Sequence, residues 1–297
     1  MKLSRRDLLR GALKTPQTAP APSARPTAAP PTGPVGKPTR GSTRVEHIPV
    51  TWVLPRRPEH PAGLALWLCG GIAGMNAAAK ELDALADAGF VAVSFDSWHR
   101  GTRAAETMAE LFPRGMANFP QVVWPMLGNA ALETLRILDW AETEFGAKPP
   151  FFVGGHSLGG DIVVAAAGLD PRIGCVATIN STPDWRRPGM HADGKLVGPG
   201  TPDAYAQWFY ERLDPITHLD GYAHKPAMAF ECGADDDHVP ADGAQRFKAL
   251  LAPAYGATQD RLRVICHPGV GHEYTPEMWQ NCMAWFREHS PVPDLHY

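Results

Sequence analysis

The sequence predicts an α/β domain, a mostly parallel sheet with helices on both faces. Short runs that are apolar throughout alternate with longer amphipathic segments from about residue 44 onward. Strands covered on both faces read as such runs, and parallel neighbours need a helical crossover between them. The 297 residues are 44 % hydrophobic and 20 % charged, enough apolar material for one large core. Chemistry-bearing residues follow directly after the apolar runs, where an open parallel sheet places its ligand crevice.

Taken in order, residues 43–53 (TRVEHIPVTWV) read as an early strand, and residues 64–68 (LALWL) as a short buried one ending on Cys69-Gly70-Gly71. Residues 76–88 are rich in alanine and leucine, with Asn76 as cap and Gly89 as stop, so a helix is expected there. Residues 90–95 (FVAVSF) form the next strand. Ala131, Leu132, Leu135 and Leu138 follow helical spacing on a segment that closes at Gly146. Strand 150–153, a helix from about Leu158 and strands 173–179 and 226–232 come next. Helix 243–251, strand 262–266 and helix 276–288 complete the pattern. Residues 182–222, rich in Trp, Tyr, Pro and Gly, interrupt it and suit a short cap, with Trp185, Trp208 and Phe209 as wall candidates or as packing.

The net charge of −3 averages unlike parts. Residues 1–44 hold nine basic side chains against Asp7 alone, a net +8, which leaves −11 for the remainder. Residues 15–38 contain eight prolines and no acidic residue, too little apolar surface to offset ordering entropy. Residues 1–43 are therefore expected to be a basic disordered tail, and residues 44–297 the folded domain. Ser4-Arg5-Arg6-Asp7-Leu8-Leu9 resembles a twin-arginine export motif, but Lys14 and Pro16 cut its apolar stretch short. That favours the cytoplasm, with export as the alternative. No run approaches a membrane span, five cysteines suit no disulfide framework, and no positive excess on the domain points to nucleic acid. The oligomeric state is not legible in the sequence.

The chemistry begins at Gly154-Gly155-His156-Ser157-Leu158-Gly159-Gly160, between a strand and a helix. This contains G-x-S-x-G. A serine on a sharp strand-to-helix turn is lifted into the cleft, and the close turn needs glycine neighbours. A phosphate cradle would end in Gly-Lys-Ser/Thr, which is missing, so Ser157 is expected to be a nucleophile. It needs a base and an orienting carboxylate. Two later strands supply candidates: Asp235-Asp236-Asp237-His238 after one, and His267 and His272 after the other. The order Ser…Asp…His is one of three common triad orders. A run of three aspartates is equally the mark of a solvated loop, and it lacks calcium-loop spacing.

On these residues the body resembles an α/β-hydrolase, of the small dienelactone-hydrolase-like or prolyl-oligopeptidase-type esterase group. GGHSLGG matches the elbow, and Asp170-Pro171-Arg172-Ile173, Asp214-Pro215-Ile216 and Lys225-Pro226 resemble the leads into later strands. The resemblance implies Asp236 as the acid, from the frame between Gly233 and Val239-Pro240, with Asp235 the fallback. It implies His272 as the base, in Val270-Gly271-His272-Glu273, with His267 the competitor; His156 is expected to be structural. The oxyanion hole would combine the Leu158 amide with a donor from residues 69–74, Gly71 first and Ile72 second. Cys69 stands where the family usually has histidine, and is read as a small buried residue. Residues 96–101 border the pocket in the family, so Trp98, His99 or Arg100 are substrate-contact candidates, as is Ile72, against a structural turn with Arg100 pairing a carboxylate.

The expected activity is therefore hydrolysis of a small-molecule carboxylic ester through an acyl-enzyme, with no metal or organic cofactor. A peptidase or acyltransferase would use the same three residues, and a silent binding module would have no need of them.

Overall fold

The structure is a computed structural model that describes residues 39–57 and 61–291. The proline-rich segment to residue 38 and its Arg5-Arg6 pair lie outside the described residues. The sheet opens with two strands where the sequence suggests one: β1 (Arg40–Val45) and β2 (Ile48–Val53) form an antiparallel hairpin. The turn at Glu46 has φ 55°. It contains neither Gly nor Pro, and the alternating pattern runs through it unbroken. The sheet thus begins at Arg40, within the segment expected to be tail.

Six strands follow: β3 (Gly63–Leu68), β4 (Phe90–Phe95), β5 (Phe151–His156), β6 (Ile173–Ile179), β9 (Ala227–Gly233) and β10 (Leu262–His267). The sheet order is β1-β2-β4-β3-β5-β6-β9-β10, antiparallel only at β1–β2 and β2–β4. Each parallel step is bridged by a helix, as the crossover requires.

Strand alternation divides the interior into two cores. Leu64, Leu66, Leu68, Val91, Val93, Phe151, Val153, Met228 and Phe230 face one core. On that side lie α3 (Phe119–Phe145), α4 (Leu158–Leu169) and α6 (Asp242–Tyr255). Ala65, Trp67, Phe90, Ala92, Phe152, Ala177, Ala227 and Ala229 face the other, under α1 (Ala79–Asp87) and α7 (Pro276–Glu288). Period-two alternation of wholly apolar strands lets both faces be buried at once.

Two helical segments exceed the sequence reading. α2 (Met108–Ala117) was not expected, and α3 runs for 27 residues from Phe119, well ahead of Ala131. Pro113, Pro120 and Pro125 break the sequence pattern. Pro120 sits in the first turn of α3, where no backbone donor is missed.

Residues 182–222 fold over α3. They contain a small hairpin of β7 (His191–Ala192) and β8 (Lys195–Leu196), and α5 (Ala204–Leu213). Asn118 and Thr201 exchange two hydrogen bonds of 2.9 and 3.1 Å, and Gln121 and Asp203 two of 2.8 and 2.6 Å. The Phe209 ring packs on Gly128, where a Cβ would come within 2.1 Å of it. The Trp124 indole donates to the Trp185 carbonyl at 2.8 Å. This segment is bolted down by many short contacts.

Candidate active site

Ser157 stands between β5 and α4 with φ 52° and ψ −124°. A side chain in that region is strained, and the surroundings have to hold it there. They do so by close approach: a Cβ on Gly159 would lie 2.3 Å from the Leu68 carbonyl oxygen, and one on Gly155 2.5 Å from the Gly159 carbonyl carbon. The Ser157 amide donates to Ile179 at 2.8 Å, and its carbonyl accepts from Gly160 and Asp161 in the first turn of α4. The hydroxyl is aimed out of the turn.

His272, on the loop after β10, has Nε2 2.9 Å from Ser157 Oγ and Nδ1 2.7 Å from Asp236 Oδ2. A carboxylate only accepts, so Nδ1 carries the proton and Nε2 offers its lone pair to the serine hydroxyl. Asp236 is itself fixed, because its Oδ1 accepts from the amides of His238 at 3.0 Å and Val239 at 2.8 Å. Of the three consecutive aspartates, Asp235 and Asp237 are exposed and Asp236 is buried. His267 lies elsewhere. Its Nε2 is 2.8 Å from Glu231, which also accepts from Asn281 at 2.9 Å and Arg263 at 3.2 Å.

Asn180 joins the two loops and was not anticipated. It ends β6 at φ 48°, a region asparagine tolerates. Its Oδ1 accepts from the Gly233 amide at 2.9 Å and its Nδ2 donates to the Glu273 carbonyl at 2.7 Å. One side chain thus ties the loop of Asp236 to the loop of His272. The nearest sequence signal is a polar residue just beyond an apolar strand.

Two cavities meet at Ser157. An inner recess of about 490 Å³, counted with its open mouth, is walled by apolar side chains of α2 and α3, among them Met108, Phe112, Phe119 and Met126. Ser157, Leu158, Gly71, Arg187 and His238 complete it. An outer vestibule, about 1500 Å³ with its open side, is bordered by Gly71, Ile72, His156, His191, His238 and His272. His272 borders the vestibule and is not among the residues of the recess. Burial pushes the His156 and His238 imidazoles down to about 4, aided by His272 for the first and by Arg187 for the second. Both are neutral at pH 7.

Ile72 therefore does border the site, while Trp98 and His99 line neither cavity. The Trp98 amide instead donates to Glu133 at 2.8 Å, and its ring packs on the core. Trp185, Trp208 and Phe209 are also absent from both walls. Trp185 is fully buried, Phe209 packs on α3, and Trp208 is exposed beneath Arg212. Trp185 and Phe209 hold the segment down. The walls come instead from α2 and the start of α3, whose prolines hid them.

Arg100 is buried and donates to the Cys69 carbonyl, not to a carboxylate as the turn reading expected. It braces the loop carrying Gly70 and Gly71, and Gly70 packs against Ser157 so closely that a Cβ would come within 3.1 Å of the serine Cβ. Burial raises the Cys69 thiol to about 11, so it is protonated at neutral pH.

Comparison with known proteins follows the same line. The sequence pattern of the Prolyl oligopeptidase family matches residues 134–291. Esterase YjfP of Escherichia coli (strain K12) is 26% identical over 215 residues, which cover 69% of this chain and 80% of that protein. Among solved structures, TT1662 from Thermus thermophilus superposes with a TM-score of 0.65 at 23% identity, covering 85% of this chain and 98% of its own. A protein from Klebsiella pneumoniae subsp. pneumoniae MGH 78578, provisionally named a dienelactone hydrolase, gives 0.60 at 16%, covering 84% and 99%.

Proposed function

The chain belongs to the prolyl oligopeptidase family and has a serine-hydrolase-type α/β-hydrolase fold, and from that premise we propose that it hydrolyses carboxylic esters through an acyl-enzyme on Ser157. The observation that carries this reading is the chain of short hydrogen bonds from Ser157 Oγ through His272 to Asp236. Ser157 attacks the acyl carbon as His272 Nε2 takes its proton, and Asp236 holds the imidazole and stabilises its charged form. The Leu158 amide and one from the glycine loop, Gly71 before Ile72, receive the developing oxyanion. His272 then protonates the leaving alcohol and later activates the water that releases the acid.

The two cavities suggest which part of the ester goes where. Leaving group and water both exchange protons with His272, so they belong in the vestibule that His272 borders. The acyl chain is left the inner recess.

Ester rather than amide cleavage is favoured by the likeness to esterase YjfP. Peptide-bond cleavage is the second reading, favoured by the family itself. Wild type is expected to turn over 4-nitrophenyl butanoate, to leave the matching 4-nitroanilide nearly untouched, and to be labelled by a fluorophosphonate. Ser157→Ala should lose both turnover and labelling. Labelling or full turnover in that variant would overturn the assignment, and faster anilide than ester cleavage would favour the peptidase.

A further inference from the structure

Among the described residues Arg187 is the one cation lining the inner recess, and the catalytic scheme gives it no role. It lies on the loop after β6 with φ 46°, an unusual backbone for a long side chain. Its side chain is 3 % exposed and pairs with Asp161, which is fully buried. Phe119 supports the guanidinium from below, 4.9 Å from ring centroid to Cζ. An arginine has five donor hydrogens in a planar fork. Here Nε has no hydrogen-bond partner, and Nη1 reaches only the weakly accepting Met190 sulfur at 4.0 Å. Buried donors are nearly always paired, so unspent ones on a residue that lines the same recess as Ser157 mark a place where a ligand acceptor belongs.

The charges nearby define that acceptor. Arg187 is already neutralised by Asp161, whose other oxygen accepts from the Thr182 amide at 2.7 Å. His238 is neutral, and the Asp236 side chain lies just beyond His272. A carboxylate on the substrate would add a negative charge for which the lining of the recess offers no further cation. A carbonyl oxygen takes the free donors without that penalty.

Resting on the ester-hydrolase reading above, we propose that the inner recess selects acyl chains carrying a neutral hydrogen-bond acceptor, an oxo oxygen, which Arg187 binds while the apolar wall of α2 and α3 holds the rest of the chain. Arg187 is then a specificity-determining residue. A purely alkyl chain leaves its donors unpaired in the complex, and an oxo chain of the same length satisfies them. Discrimination by a buried polar group of this kind exceeds what a methylene provides.

The test compares 4-nitrophenyl pentanoate with the 4-oxopentanoate, and the hexanoate with the 5-oxohexanoate, each kcat/KM divided by the hydroxide-catalysed rate of the same ester. The 4-nitrophenyl monoester of glutaric acid adds the anionic case. Wild type is expected to favour at least one oxo ester over its parent by about tenfold or more, the worth of a hydrogen bond to a charged group, and to disfavour the glutarate. Arg187→Lys keeps a cation for Asp161 but loses the fork, and Asp161→Asn with Arg187→Met removes both charges so that neither is stranded. In both, the oxo-to-alkyl ratio should fall towards one, with fluorophosphonate labelling showing that the proteins are folded. Equal use of oxo and alkyl esters by wild type, a preference that survives in a labelled variant, or preference for the glutarate would each overturn the proposal. Cleavage of alkyl esters without oxo preference would sink this inference alone. Absence of both ester cleavage and labelling would sink the ester-hydrolase reading, and this inference with it.

Discussion

Replacing Asn180 should separate the fold's stability from the alignment of the loops that carry Asp236 and His272. Its side chain makes two bonds, to the Gly233 amide at 2.9 Å and the Glu273 carbonyl at 2.7 Å. Gly233 is buried, so Asn180→Gly strands its amide, at a cost of about 1–3 kcal/mol. Glu273 is exposed, and its carbonyl regains water, which limits that loss to about 0.5–1.5 kcal/mol. The sum is about 1.5–4.5 kcal/mol. Asn180→Ala should lose about 0.5–1 kcal/mol more than Asn180→Gly, because φ 48° suits glycine and not alanine. The loops carrying Asp236 and His272 are then free to drift, and a misplacement of about 1 Å costs on the order of 10²-fold in rate. Urea unfolding at pH 7 and kcat/KM on a nitrophenyl ester read the two effects. An Asn180→Gly protein within about 0.5 kcal/mol of wild type, or with undiminished kcat/KM, would refute the reasoning.

Two further outcomes follow from packing and charge. Gly159→Ala forces a Cβ to within 2.3 Å of the Leu68 carbonyl oxygen, a backbone atom that cannot swing away, so it should cost more than about 3 kcal/mol or abolish soluble protein. Gly198→Ala, with nothing within 4 Å of the added Cβ, should be near neutral in the same urea experiment. Burial raises the Asp214 carboxyl from 3.8 to about 7, against the pull of the Trp185 amide. A raised carboxyl favours the folded state when protonated, and that advantage is lost as pH rises through about 7. Wild type should therefore lose about 2–3 kcal/mol relative to Asp214→Asn between pH 5 and 8. A difference that does not change with pH would count against a buried charge at this position.

The sequence carries information that is local, and what it carries is faithful at that scale. Mostly apolar runs of four to seven residues mark the strands of the parallel sheet, because burial on both faces leaves little room for polar side chains. The glycines around Ser157 marked a turn for the same local reason. The β1–β2 hairpin escaped notice because its turn at Glu46 uses no glycine or proline and leaves the alternation intact. α2 and the first half of α3 escaped because Pro113, Pro120 and Pro125 read as breakers. Proline at the first turn of a helix is harmless, but a sequence does not announce where that turn begins.

By itself the sequence determined the α/β layering, the placement of Ser157 on a strand-to-helix turn, and a short list of partners for it. Only the tertiary structure decided among them. Asp235, Asp236 and Asp237 are chemically identical neighbours, yet one is buried and capped by two amides while the others face solvent. His267 and His272 are five residues apart, and the first pairs with Glu231 while the second reaches Ser157. The pairing of Arg187 with Asp161 spans 26 residues and that of His272 with Ser157 spans 115. Periodicity and turn chemistry act over a few residues, whereas a hydrogen bond is fixed by the distance between atoms in the packed chain. The amount of sequence between them has no bearing on it.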